Sequence, residues 1–485
     1  MKPSVEDMSK MKENSSVKEK VELKRELGLI GATSIVIGSI IGSGIFISPK
    51  GVLEASGSVA LCMIVWVIAG IIALCDALCY AELGTLIPKS GGTYTYLFLG
   101  FGKFVSFLYI IQATFIITPG VFVVFMLTFA KYLVSVIPTC GSPELLEKFL
   151  AAAGLITLYL VNCFGTRYGA HVSIITTFCK LLALAVIIVT GLVAIAQGTT
   201  NELGTGFSGT SRQPASLALA LYSAIWATSG GDDVTRVVEE IKNPTKSIPR
   251  ALIFGILVVV VMYILTNIAY IAVMTKTEMI GTRAVAVLFA QRTLGPAAGI
   301  IPMAVVISTL GTTSISLLSS SRMTYAAARD GILPDLLSYI QVDWLTPVSS
   351  MTTLLSMSLL WLAFGEIGSI INYLGFLGTI FKIAIYVALI KFRYRSFNHV
   401  KRIVKVPLLM PVLMILMNIY LFLAPLIIEP QIEYVYVGGG FIVCATLLYL
   451  VFIHFHFKVP FYDNCVTVAQ LVFRLSPPFR NADTD

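Results

Sequence analysis

Ser39-Ile40-Ile41-Gly42-Ser43-Gly44-Ile45-Phe46-Ile47-Ser48-Pro49 and Trp226-Ala227-Thr228-Ser229-Gly230-Gly231-Asp232-Asp233-Val234-Thr235-Arg236 are two stretches that do not suit the apolar runs around them. Each glycine in the first lowers helical stability by ~1 kcal/mol relative to alanine. In lipid, backbone groups freed by a break need other partners, so a break is tolerated where it lines a cavity. It then leaves amide N–H groups at the start of a half-helix, which suits an anion. Close helix packing through small residues is the competing reading. The second stretch has a weak Thr-Ser-Gly-Gly run, then two carboxylates and an arginine at membrane depth, where charge is costly. Arg236 is i,i+4 from Asp232 and i,i+3 from Asp233, so pairing is available. A purely structural ion pair and a functional site are both open at this point.

The rest of the chain is apolar enough to place both stretches in a bilayer. Of 485 residues, 57% are hydrophobic and 12% charged, and the mean hydropathy is +0.88. Soluble domains average roughly 45–50% apolar and about 25% charged. About 276 apolar residues supply twelve spans of ~20 residues each. The runs are continuous, not alternating, which disfavours a β-barrel. The expected fold is an all-α membrane protein. Its spans are expected near 28–50, 58–87, 100–137, 149–165, 170–196, 215–240, 250–275, 294–328, 346–365, 367–391, 405–428 and 433–456. Residues 1–27 and 458–485 are expected to be cytosolic tails around a transporter domain over 28–457. Pro119-Gly120 predicts a kink in the third span.

The two stretches then fall in spans one and six, with five spans between equivalent positions. That is the pattern of an inverted five-plus-five repeat with broken helices at the midplane. The repeats would cover 28–196 and 215–391, with two further helices over 405–457. Two breaks offer amide N–H groups for a carboxylate and freed carbonyls for an ammonium, the polarity of an α-amino acid.

Loop charges orient the bundle. Lys242, Lys246 and Arg250 follow span six, Arg322 and Arg329 span eight, and Lys391, Arg393, Arg395, Lys401, Arg402 and Lys405 span ten. All fall on one face, which the positive-inside rule makes cytoplasmic, with both termini inside. The net charge of +8 is therefore read as topology and not as a nucleic-acid surface. No cleaved signal peptide is expected at the N-terminus. The one glycosylation triplet, Asn14-Ser15-Ser16, lies in the cytosolic tail. Eight cysteines contain no CxxC pair, so neither a metal site nor any cofactor is expected. No charged ring or voltage-sensing arginine series supports a channel. His171, His399, His454 and His456 form no acid/base set with the break residues, so an intramembrane enzyme is disfavoured.

At these residues the sequence resembles the amino acid–polyamine–organocation superfamily, and within it the L-type light subunits of heteromeric amino acid transporters. Ile40 to Lys50, Ala81-Glu82-Leu83-Gly84, Lys89-Ser90-Gly91-Gly92-Thr93-Tyr94, Glu239-Glu240-Ile241-Lys242-Asn243-Pro244 and Leu265-Thr266-Asn267-Ile268-Ala269-Tyr270 carry the likeness, over about 28–460. The resemblance implies twelve helices with a LeuT-like core. It implies that the substrate carboxylate rests on the backbone of Ser43, Gly44 and Ile45. The ammonium would meet carbonyls of Ile40, Trp226, Ala227 and Ser229, and an aromatic at Trp226 would gate the site from outside. Ser39, Gly230, Gly231 and Asp232 complete the expected substrate site. Lys180, on span five, would occupy the place of a structural sodium ion, implying sodium-independent transport. Cys140, in the loop between spans three and four, would join a single-span glycoprotein heavy subunit through a disulfide.

One departure bears on substrate. Most light subunits carry a tryptophan after the paired glycines of span six, and then an asparagine; this chain has Gly231 and Asp232. Loss of an indole predicts a larger side-chain pocket, suited to aromatic amino acids. Within the family the chain most resembles the group with aspartate/glutamate-type, second small-neutral and aromatic-preferring members, the last above all. The expected function is sodium-independent amino acid exchange at the plasma membrane. Carriage of small neutral, cationic or acidic amino acids, or a transport-inactive light subunit, are the alternatives.

Overall fold

The computed structural model describes residues 27–477 except 137–143, 165, 201, 283, 365–366, 398, 425, 427–431, 458–459 and 461, with backbone alone at 166–173, 215, 364, 367–369, 396, 432, 434 and 465. Apart from one short strand pair, its regular elements are helices. The first half holds α1 (Leu29–Ile40), α2 (Gly44–Ser56), α3 (Val59–Leu86), α4 (Thr93–Phe101), α5 (Lys103–Gln112), α6 (Thr118–Val134), α7 (Glu144–Cys163) and α8 (Thr166–Ala196). The second begins with α9 (Pro214–Thr228) and a 3-10 helix over Gly231–Glu240, then α10 (Pro244–Val273), α11 (Lys276–Gly281), α12 (Val285–Thr293) and α13 (Ile300–Arg329). It ends with α14 (Val348–Phe364), α15 (Ile367–Lys391), α16 (Leu409–Leu423), α17 (Ile432–Leu448) and α18 (Tyr462–Phe473). A two-residue strand, β1 (Ile340–Gln341), pairs antiparallel with β2 (Leu475–Ser476) and ties the C-terminal segment to the connection after α13.

Among the described residues seven helices are long and apolar enough to cross a membrane, Val59–Leu86, Lys103–Val134, Ile174–Ala196, Pro244–Val273, Gly295–Arg329, Ile370–Arg395 and Val435–His454. The pair α1 and α2, bent by 41° at its break, makes an eighth if it is one span. Val348–Ala363 and Leu409–Leu423 are shorter apolar helices.

Helix ends follow local chemistry. Gly57 takes φ +75° to close α2, and the Ser58 hydroxyl accepts the Leu61 N–H at 3.4 Å to open α3. Pro244 opens α10, where a missing N–H costs nothing. Just before Pro119, where the sequence predicts a kink, the helix takes a π-helical turn over Ala113–Ile117. Proline blocks the bond to the carbonyl four residues back, here Phe115. The Trp361 Nε1–H fills that vacancy, donating to the Phe115 oxygen at 3.0 Å.

Without an oil-water contrast between helices, packing depends on close approach of small residues. A Cβ placed at Gly191 would lie 2.3 Å from the Ala269 Cβ, and one at Gly255 2.8 Å from Val36. These contacts press α8 and α1 onto α10. Trp66 stands edge-on to Tyr263, with centroids 5.9 Å apart, and seats α3 on the same helix. The first break is thus held from several sides.

Candidate functional site

The two breaks touch. A Cβ at Gly44 would fall 2.5 Å from the Ala227 Cα, and one at Gly230 would fall 3.1 Å from the Ser39 oxygen. Gly230 itself sits at φ +110°, a conformation that strongly favours glycine. The paired glycines that weaken each helix are therefore also what lets one break lie against the other.

The freed backbone groups are satisfied unequally. The carbonyls of Gly38, Ile40, Ile41 and Gly42 at the first break each have a donor nearby. Lys180 Nζ donates to the Gly38 oxygen at 2.7 Å, and the Tyr263 hydroxyl to Ile40 at 3.1 Å. The Thr312 hydroxyl lies 3.0 Å from the oxygens of both Gly38 and Ile41, and Ser308 is 3.4 Å from those of Ile41 and Gly42. By contrast, no acceptor among the described residues reaches the N–H groups of Ser43, Gly44 or Ile45. These three residues are buried, and the Ser43 hydroxyl has no partner. At the second break the polarity is reversed. No donor among the described residues reaches the carbonyls of Ala227, Thr228 or Ser229. Trp226 is the exception, since its oxygen accepts the Ser229 N–H at 3.3 Å. Open donors on one side thus face open acceptors on the other.

Lys180 is fully buried, and besides Gly38 it donates to the Thr312 hydroxyl at 2.5 Å. Its role is structural at the least, because it joins α8 to the broken first helix. Thr312 belongs to a ladder along α13 with Ser308, Ser316 and Ser320, each one turn from the next. The upper two serve the first break. Ser316 lies 3.4 Å from Asp233, and the Ser320 hydroxyl accepts from Arg236 at 3.1 Å. Arg236 pairs with Asp232 at 3.3 Å and with Asp233 at 3.0 Å. One helix face therefore satisfies both broken elements.

Trp226 is partly buried and packs obliquely on Phe125, centroids 6.1 Å apart. The Ser229 hydroxyl turns back to the Ile225 oxygen at 2.6 Å. Gly231 does not open onto empty space. A Cβ there would lie 3.3 Å from Ile256 and 3.5 Å from Ile40. The adjacent cavity, about 30 Å³, lies on the α3 side of the second break and is lined by Ser229, Gly230, Gly231, Asp232, Asp76 and Tyr80. Cys140 lies outside the described residues.

Three charged features were not anticipated from sequence. Asp76 on α3 accepts from Lys382 Nζ and the Tyr386 hydroxyl, both at 2.6 Å. Glu82, fully buried, receives the Arg393 guanidinium, Arg402 at 2.7 Å and the Val406 N–H at 2.9 Å. Glu240 pairs with buried Arg322. Asp76 and Lys382 carry their own signal, since each is a lone charge inside an apolar run. Two of the family-like motifs also meet: the Ser90 N–H donates to Glu239 at 3.1 Å, and the Glu239 N–H to the Ser90 hydroxyl at 3.3 Å.

Apolar helices of membrane-spanning length, with two helix breaks in contact, mark a multi-pass membrane protein. The amino acid permease family model matches residues 27–453, and the chain belongs to that family. It is 38% identical over 436 residues to the b(0,+)-type amino acid transporter 1 of Homo sapiens, covering 90% of this chain and 89% of that protein. It is also 38% identical over 470 residues to the large neutral amino acids transporter small subunit 2 of Mus musculus, covering 96% and 88%. These homologues are amino acid transporters, not enzymes, and the light subunits of heteromeric transporters are among them.

Proposed function

We propose that this chain is the light, transporting subunit of a sodium-independent amino acid exchanger of the plasma membrane. The observation that carries the reading is the opposed polarity of the two breaks. The N–H groups of Ser43, Gly44 and Ile45 take the substrate carboxylate. The carbonyls of Ala227 and Ser229, with Ile40 and Trp226 beside them, take the ammonium. Ser39, Gly230, Gly231 and Asp232 complete the wall. Twelve spans in an inverted five-plus-five arrangement rock around this level, and the loop charges keep both termini cytoplasmic. Lys180 Nζ donates to the first broken helix at the Gly38 oxygen, in the place a bound sodium ion would otherwise take. Cys140 forms the disulfide to a single-span glycoprotein heavy subunit.

Large neutral and aromatic side chains are the favoured cargo. Trp226 and Phe125 supply an aromatic wall at the second break. Asp232 and Asp76 on the neighbouring cavity favour a second reading, in which side chains with hydrogen-bond donors or positive charge are carried.

Reconstitution of the chain with each candidate heavy subunit tests the proposal. Efflux of preloaded amino acid is measured against a full external panel, with sodium and with choline. External tyrosine, tryptophan or leucine is expected to drive efflux equally in both salts. A sodium requirement, or efflux that ignores external amino acid, would refute the exchanger. Carriage of lysine or arginine in place of the aromatic set would select the second reading.

A further inference from the structure

The last residue of α15 and the connection to α16 carry six basic residues, and the structure divides them into two groups. Lys391 donates to the Gly100 oxygen at 2.6 Å and lies over the Phe101 ring. Arg393 and Arg402 close on buried Glu82. Arg395, Lys401 and Lys405 are exposed, and no acid among the described residues pairs with them. Large apolar side chains stand among these three cations. Tyr394 is 64% exposed, Ile403 62% and Leu409 65%. Lys103 and Phe104 are exposed on the adjoining corner, which the Lys391–Gly100 bond holds against this loop.

We propose that this face binds the phosphate headgroups of anionic phospholipids in the leaflet it touches. Cations interleaved with tyrosine and aliphatic side chains at the end of apolar helices suit the headgroup boundary, where stems and rings enter the acyl edge and charges reach phosphate. A soluble acidic partner would leave Ile403 and Leu409 in water. The chain's own N-terminal segment is a poor occupant, since residues 1–26 carry seven Lys or Arg against six Asp or Glu. Glu82 fixes the loop, so the three cations are presented without further ordering.

The inference rests on the membrane-spanning reading, and its readout is lipid binding, not transport. The full chain with its heavy subunit is placed in nanodiscs of phosphatidylcholine, with and without phosphatidylserine, so that both leaflets are alike. Bound phosphatidylserine is counted by native mass spectrometry after release into detergent. Arg395→Gln, Lys401→Gln and Lys405→Gln together are expected to weaken retention roughly a hundredfold, from three charges at the surface. Arg395→Lys, Lys401→Arg and Lys405→Arg together are expected to retain it. Equal retention by the glutamine variant would overturn the proposal. So would competition by free glycerophosphoserine at equal concentration, which would mark a soluble-anion site. Retention appearing only after removal of residues 1–26 would assign the face to that segment instead.

Discussion

Glu82→Gln is the most informative single change outside the substrate site. Glutamine keeps the shape and removes the charge. In the native protein the carboxylate is wholly buried and faces two guanidinium groups, whose side chains are 8% and 9% exposed. Its remaining bond comes from the Val406 N–H, and Arg393 also donates to the Val406 oxygen at 2.6 Å. Breaking a buried ion pair from one side costs about 3–5 kcal/mol, because the surviving charges stay buried without compensation. Here the penalty is relieved locally, by releasing the loop over 399–408 into solvent. At about 1.4 kcal/mol per decade, amide exchange over this loop speeds up between roughly a hundredfold and a few thousandfold. Hydrogen–deuterium exchange of the purified chain reads this directly, with α3 and α10 as internal references. Unchanged exchange over 399–408, or acceleration spread evenly over all helices, would refute the argument that Glu82 is a local clamp. Arg402→Met, which leaves the Arg393 pair in place, is expected to give a smaller and similarly confined change.

Two other changes test separate parts of the structure. Gly44→Ala sets a methyl group against Ala227 backbone at 2.5 Å, so the breaks must part; uptake normalised to surface abundance is expected to fall by at least tenfold, and wild-type uptake would show that the breaks need not touch. Glu278 lies outside the spans, where the Thr275 N–H, the Thr275 hydroxyl and Arg292 hold its carboxyl down at about 2, from an ordinary value of 4.5. A depressed carboxylate stabilises above its unfolded value and loses that contribution as pH falls through the folded one. Glu278→Gln is therefore expected to lower thermal stability at pH 7 by an amount that shrinks between about pH 4.5 and 2; a difference independent of pH would refute the assignment.

Hydropathy and glycine placement along the chain suffice to assign the membrane setting, the helical fold and the places of the breaks. Those properties are local: hydropathy is summed along the chain, and glycine at 42, 44, 230 and 231 weakens a helix whatever surrounds it. The sequence also marks Lys180, Asp232, Asp233 and Arg236, because a charge in an apolar run is visible without knowing its partner. Which backbone groups stay open follows from packing in three dimensions. Carbonyls of the first break are met by Lys180, Tyr263, Ser308 and Thr312, from residues 142 to 274 positions away in sequence. The same is true of Gly231, which reads as added room until Ile40 and Ile256 are found beside it. The five basic residues between α15 and α16 look equivalent in sequence, and the buried carboxylate of Glu82, more than 300 residues away, separates Arg393 and Arg402, which hold the fold, from those left facing outward. Hydrogen bonds and ion pairs depend on distance in space, and hydropathy along the chain carries no record of it.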